Sequence, residues 1–365
     1  MESLKILLFN WRCWLNPNMG GAEVFTREVL SRWAKSGHDV TLFTSKFDGC
    51  KSDEVIDGVR IIRRGGWLSV YWKARSFYSK YFRTERFDVV IDEINTIPFL
   101  TPKFINNGER VFALIHQLAR EYWFYETPFP ISYIGYYVLE YRWLRNYVNI
   151  PTVTVSESTK HDLLNLGFKK VFVVPEGLNF EPLNHVPQKH IHPVIAYVGR
   201  LKKAKRPDYA VKAFKIVKEK VPYAELWIIG DGYLAKELKK QMVKGVKFFG
   251  NLPSVARREL IKKCWVLVNP SVREGFGLNV IEANALGTPC VAFDVAGLRD
   301  AIINYETGLI VKSENIRDLA EGIIKVLTDD EFRIKLSHGA LVYSRRFSWD
   351  KVADEFMKVI RSAYA

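Results

Sequence analysis

Along this chain, short unbroken apolar runs alternate with longer stretches in which apolar residues return every three or four positions. The first pattern predicts strands of a buried parallel sheet, and the second predicts the helices that cover them. Strands are expected at 5–10, 38–45, 58–63, 87–92, 110–116, 152–156 and 171–175, with a helix over 22–36 that Gly37 ends. A second series follows, with strands at 194–198, 225–230, 246–250, 265–270 and 288–293 and a helix beginning near Leu278. Between the two series Pro182, Pro187 and Pro193 break the pattern, which marks a linker over 181–193. Two successive strand-and-helix series predict an α/β chain of two doubly wound, Rossmann-like domains, 1–180 and 194–347, with a C-terminal helical segment over 348–365.

A length of 365 residues with 48% hydrophobic content supplies two packed cores and excludes a disordered chain. Cys13, Cys50, Cys264 and Cys290 show no Cys-x-x-Cys spacing, so neither zinc nor a disulfide framework is expected, and all four are read as buried thiols. His185, His190 and His192 lie in the proline-broken linker at spacings that fit no compact metal site. The first residues lead straight into a strand, and no apolar run reaches the roughly 20 residues of a membrane-crossing helix. A cytoplasmic protein is expected, peripheral on the inner face of the membrane if it meets one.

The formal net charge of +14 calls for an anionic partner: nucleic acid, an anionic membrane surface or a phosphate-bearing small molecule. Nucleic acid is set aside, because no zinc-finger, ribonucleoprotein or helix-turn-helix signature is found. Lys73, Arg75, Lys80 and Arg83 interleave with Trp67, Trp72, Phe77, Tyr78, Tyr81 and Phe82. That composition suits a membrane interface, and equally a helix whose rings pack and whose charges are solvated. The aromatic belt from Tyr122 to Trp143 reads both ways too, as an acceptor cradle or as core.

Chemistry concentrates after the strand at 265–270, in Glu274-Gly275-Phe276-Gly277-Leu278 followed by Glu282. The two glycines let backbone approach a ligand, and the N–H groups of the helix start seat an anion such as phosphate. Glu282 returns one turn later to the same helix face, where a carboxylate accepts from vicinal hydroxyls such as those of ribose. Taken alone, the two carboxylates fit an ordinary surface loop as well. After the strand at 194–198, Arg200 and Lys205 leave the sheet five residues apart, which lets both reach one diphosphate. Gly20 and Gly21 occupy the first strand-to-helix loop, the ligand position of a doubly wound sheet. The run Gly20-Gly21-Ala22-Glu23 lacks the G-x-G-x-x-G spacing, which argues against a dehydrogenase. His116 ends the strand at 110–116 and so projects from the carboxyl edge of its sheet.

Glu274-Gly-Phe-Gly-Leu through Glu282, continued by Ala283 and Gly287-Thr-Pro289 and preceded by Arg200 and Lys205, resembles the signature of the retaining family-four glycosyltransferases. Those enzymes have the GT-B architecture, two Rossmann-like domains facing a cleft, and the resemblance spans nearly the whole chain. It implies a hexosyltransferase that uses a nucleotide-diphosphate sugar, with a UDP-sugar favoured, and that has no resident cofactor. By the same resemblance, Gly20 and Gly21 close over the donor diphosphate, Arg200 and Lys205 bind it, and Asn251 and Leu252 seat the base. His116 stands near the donor sugar, and segment 348–365 crosses back onto the first domain. Glu274 then holds sugar hydroxyls, backbone N–H groups near Gly275 to Leu278, those of Phe276 and Gly277 among them, stabilise the leaving diphosphate, and Glu282 binds ribose. No Asp-x-Asp metal clamp stands at a strand end, so metal-independent electrostatic catalysis is expected. Pro175-Glu-Gly-Leu-Asn179 departs from the family's Pro-Asn-Gly-x-Asp, and no role is assigned to it. The acceptor is expected to be a glycan or a lipid-linked, membrane-presented molecule. A GT-B-like epimerase or phosphorylase, and a non-catalytic nucleotide-sugar binder, remain as alternatives.

Overall fold

The structure, a computed structural model, describes residues 2–241 and 243–364. Met1 and Ala365, the outer bounds of the expected first and last segments, lie outside the described residues. The chain divides into two compact units. Unit 1 comprises Met1–Trp123, Phe129–Gly177 and Ser348–Ala365, and unit 2 comprises Phe124–Pro128 and Leu178–Phe347.

Unit 1 is built on strands β1 (Lys5–Phe9), β2 (Asp39–Thr44), β3 (Asp53–Ile56), β4 (Val59–Arg63), β5 (Val89–Glu93), β6 (Arg110–Ile115), β7 (Thr152–Thr154) and β8 (Val171–Val173). Their order is β3-β4-β2-β1-β5-β6-β7-β8, and only the β3/β4 pair is antiparallel. Covered on both faces, the central strands are buried almost end to end, apolar over Ile6–Phe9 of β1 and Val89–Ile91 of β5, with Asp92 and Glu93 buried at the carboxyl end of β5. The apolar pattern misses β3, because its residues Asp-Glu-Val-Ile alternate between exposed and half-buried at an edge. Its one signal is the turn Asp57-Gly58, where both residues take positive φ, 53° and 83°, the left-handed geometry of a tight hairpin.

The basic aromatic stretch divides by helical period. Val70, Ala74, Tyr78 and Phe82, one turn apart, pack on Leu7, Phe9, Phe43 and Val90, whereas Trp67, Trp72 and Tyr81 face outward among the exposed cations. The helix Trp349–Ser362 also belongs to unit 1 and buries Trp349, Val352, Phe356 and Ile360. Its Trp349 sits so close to Gly177 that a Cβ there would lie 2.6 Å from the Trp349 nitrogen, which leaves room only for glycine.

Unit 2 carries β9 (Val194–Val198), β10 (Glu225–Ile229), β11 (Val246–Gly250), β12 (Val266–Asn269), β13 (Cys290–Phe293) and β14 (Gly308–Val311), all parallel, in the order β11-β10-β9-β12-β13-β14. The order reverses direction between β9 and β12, the place where an open α/β sheet leaves a crevice at its carboxyl edge. Two features differ from expectation. The proline-rich stretch is strapped down rather than loose: Leu183 N–H donates to Ala285 O (2.9 Å), His190 N–H to Lys263 O (2.9 Å), and Lys189 Nζ to Thr288 Oγ1 (2.9 Å). Residues 124–128 join unit 2 because Glu126 accepts the Ala204 N–H (2.8 Å) and the Tyr233 hydroxyl (3.2 Å), and Tyr125 bonds to Arg206. Cys13, Cys264 and Cys290 are buried; Cys50 is only half-buried, its Sγ accepting from Phe47 N–H (3.3 Å). Among the described residues, no helix is long and apolar enough to cross a membrane.

Candidate functional site

Unit 2 gathers its chemistry at the carboxyl ends of β9 and β12. The turn after β12 is fixed by amides: Ser271 N–H donates to Asn269 Oδ1 (3.1 Å), and Asn279 Nδ2 donates to Val198 O at the end of β9 (2.8 Å). Val272 N–H reaches Ala204 O (3.0 Å), so this loop and the Arg200 to Lys205 loop are tied edge to edge. Tyr197 strengthens the second loop from beneath, its hydroxyl donating to Arg200 O (3.3 Å) or Lys205 O (3.2 Å). On this scaffold Lys205 Nζ pairs with Glu274 Oε2, and Ser271 Oγ donates to Glu274 Oε1 (2.8 Å). Arg200 is exposed on the same loop. Burial pushes the Lys202 ammonium down, and the charges of Lys205 and Arg200 push it further, to about 8. Cations that raise one another's cost in this way favour a polyanion, and Lys202 is a member of the set that the spacing argument misses.

The loop glycines have backbone reasons. Gly277 takes φ 98° as the N-cap of the helix Leu278–Ala285, and a Cβ at Gly297 would lie 2.3 Å from Glu274 O. Val280 N–H already reaches Gly277 O (2.8 Å), so the N–H groups that open the helix ahead of it are the ones a helix start offers to an anion. The Phe276 ring is buried, 5.3 Å from that of Phe347, so its side chain packs the unit and its backbone is the part that serves the loop. Glu282 is gripped by Arg257, whose Nη2 reaches both carboxylate oxygens (3.2 and 3.1 Å). The sequence pattern does not pair Arg257 with Glu282, because Arg257 lies 25 residues earlier, on the helix Ser254–Lys263 that follows the Asn251-Leu252 loop. Asn251 is exposed and Leu252 half-buried there.

Unit 1 gathers a different set. Gly20 is the extended N-cap of the helix Gly21–Lys35, and its N–H donates to the buried Glu23 (2.5 Å), which Arg12 neutralises (3.1 Å). Gly21 lies beside Glu176: a Cβ there would stand 3.9 Å from Glu176 Oε1. His116 follows directly on β6 and is buried between two carboxylates, with Nε2 3.2 Å from Glu93 Oε1 and Nδ1 3.8 Å from Glu176 Oε1. Thr26 Oγ1 holds the other oxygen of Glu93 (2.5 Å), and the Phe25 ring meets the imidazole edge-on with centroids 5.0 Å apart. Burial works against a charged ring, but Glu176 and Glu93 outweigh it and raise His116 to about 9. At neutral pH it is an imidazolium whose two nitrogens face protein carboxylates.

The family profile described as "Glycosyltransferase Family 4" matches residues 19–181, and that described as "Glycosyl transferases group 1" matches residues 184–359. The chain belongs to the family-four glycosyltransferases of the GT-B type. A D-inositol 3-phosphate glycosyltransferase of Corynebacterium aurimucosum is 33% identical over 183 residues, 47% of this chain and 43% of that protein, so the chain spans less than half the length of this relative. The fold matches that of sucrose-phosphate synthase from Thermosynechococcus elongatus at a TM-score of 0.79 and 19% identity, covering 99% of both chains. Anabaena HepE, solved in complex with UDP-glucose, matches at a TM-score of 0.76 and 14% identity, covering 98% of this chain and 100% of that one. Within the family pattern, Glu176 stands where an asparagine is usual. The structure gives that departure a setting beside His116 and Gly21 that the sequence alone does not supply.

Proposed function

We propose that the chain moves a hexosyl group from a nucleotide-diphosphate sugar to an acceptor hydroxyl, with retention of configuration. The observation that carries this is the Lys205, Glu274 and Ser271 cluster at the switch point of unit 2, with Arg200 and Lys202 on the adjoining loop. Arg200, Lys202, Lys205 and the N–H groups opening the helix Leu278–Ala285 stabilise charge developing on the leaving diphosphate. Glu274, held by Ser271 and Lys205, takes hydroxyls of the donor sugar, and Glu282, oriented by Arg257, takes those of the ribose. Gly20 and Gly21 keep backbone close to the diphosphate, and Asn251 with Leu252 receives the base. His116 orients the donor sugar, and Glu93 and Glu176 position the ring. UDP is the favoured nucleotide, in line with the UDP-glucose bound by HepE. The acceptor is a glycan or a lipid-linked molecule, and the protein works on the cytoplasmic face of a membrane.

A thermal-shift panel of UDP-, GDP- and ADP-sugars tests the donor assignment. Binding to the folded state alone stabilises it by roughly 2.7 kcal/mol at a ligand concentration one hundred times Kd, so the correct donor stands out from the other two. No shift with any of the three rejects the reading. Cationic side chains and helix-start amides fill the role that a divalent ion plays in other transferases. Product formation is therefore expected to persist after exhaustive EDTA treatment, and loss of turnover that Mg²⁺ or Mn²⁺ restores would contradict this mechanism.

A further inference from the structure

The aromatic belt of unit 1 is less a core element than a surface ridge. From Phe129 to Tyr141, Phe129 (78%), Tyr137 (65%), Tyr133 (53%), Ile131 (51%), Tyr141 (50%) and Ile134 (46%) are exposed. The rings form one contiguous line, with Phe129 to Tyr133 centroids 5.7 Å apart and Tyr133 to Tyr137 6.1 Å apart. Single exposed apolar residues are ordinary, but a continuous apolar ridge on one helical face marks an interaction surface.

The opposite face is locked, so the segment cannot roll its rings inward. A Cβ on Gly135 would lie 2.3 Å from the Trp123 ring, and Glu140 accepts the Ala119 N–H (2.5 Å) and the Arg120 N–H (2.9 Å). Glu140 is also the only acid between residues 127 and 156, and it is buried. The charges left on the outer side are the exposed Arg142 and Arg145.

From this ridge we infer that unit 1 docks on a lipid bilayer carrying anionic headgroups, with Phe129, Ile134 and Tyr137 entering the interface and Arg142 and Arg145 meeting lipid phosphates. Tyrosines present an apolar ring and a polar hydroxyl, which suits the boundary between headgroups and acyl chains. A second copy of the chain is the poorer occupant, because each copy brings a formal charge of +14 and the ridge offers no acid to the other's arginines. The inference sharpens the membrane-presented acceptor proposed above by naming the face that reaches it.

Co-sedimentation of the full chain with phosphatidylcholine vesicles, with and without phosphatidylglycerol, tests it. The native chain is expected to pellet with the anionic vesicles. The combined Phe129→Ser, Ile134→Ser and Tyr137→Ser variant should bind them at least tenfold more weakly, while Arg142→Ser with Arg145→Ser should lose the preference for anionic lipid. A Tyr137→Trp variant provides a second reading that leaves the ridge apolar: brominated acyl chains should quench a larger share of its fluorescence than of that of the native chain, whose ten tryptophans include the exposed Trp67 and Trp72. Native chain left in the supernatant with both vesicles, variants that bind as the native does, or concentration-dependent dimers that the ridge variant abolishes would each overturn the inference. UDP-sugar thermal shifts on the same samples keep the two readings apart: vesicle binding can fail while donor binding stands, and the reverse.

Discussion

Lys205→Ala is expected to weaken binding of a nucleotide-diphosphate sugar by at least tenfold. A charge-assisted hydrogen bond to phosphate contributes roughly 1.5–3 kcal/mol, and the substitution removes that donor outright. It does more than that in this loop. Lys205 is the ion-pair partner of Glu274, both side chains are largely buried, and the alanine variant leaves a carboxylate facing the incoming diphosphate without its counter-ion. The loss should therefore exceed that of a similar change at the exposed Arg200, and turnover should fall with it. Titration calorimetry separates a phosphate role from general damage to the site. Affinity for UDP and for the UDP-sugar should drop, whereas uridine, which carries no phosphate, should bind the native chain and the variant alike. Equal losses for uridine and UDP would point to a collapsed loop, and unchanged UDP affinity would remove Lys205 from the donor site.

What the sequence discloses about this protein follows from how far apart the partners lie along the chain. The central strands are legible because a strand buried on both faces is apolar along most of its length, whereas β3 is hidden because an edge strand need not be. Arg200, Lys205, Glu274 and the loop glycines are legible because their chemistry is local: each stands at a strand end or a helix start. The partners that tune them are not local. Arg257 reaches Glu282 from another helix, Glu93 and Glu176 reach His116 from 23 residues before it and 60 after, and residues 124–128 leave unit 1 on the strength of two side chains, Tyr125 and Glu126. A period-based reading has no means of pairing such residues. A hint did exist in the acid that ends β5 and in Glu176, an acid at a position where the family carries an amide. Both become informative only once the fold brings them to one imidazole.

That imidazole gives the last prediction, a stability effect with a defined sign. In the unfolded chain His116 titrates near 6.5, and in the folded chain near 9, because Glu176 and Glu93 outweigh the cost of burial. Between those values the folded state binds the extra proton, so the stabilisation is fully present below about pH 6.5 and is lost as pH rises through about 9. A rise from 6.5 to about 9 corresponds to roughly 3 kcal/mol, a large share of a typical domain's margin. The native chain will not display this cleanly. Burial lowers Lys189 to about 7, so its unfolded form binds the extra proton between about 7 and 10.4, and its contribution rises with pH over the range where that of His116 falls. The difference between native protein and Glu176→Gln cancels Lys189 and isolates the histidine. Urea unfolding of both at about pH 6, 7.5 and 9.5 should show the variant clearly less stable at the lowest pH and the gap narrowing by the highest. Proton NMR of the His116 ring should place its titration at lower pH in the variant. A gap that stays constant with pH, or a ring that titrates near 6.5 in the native chain, would mean that Glu93 and Glu176 do not hold His116 as an imidazolium.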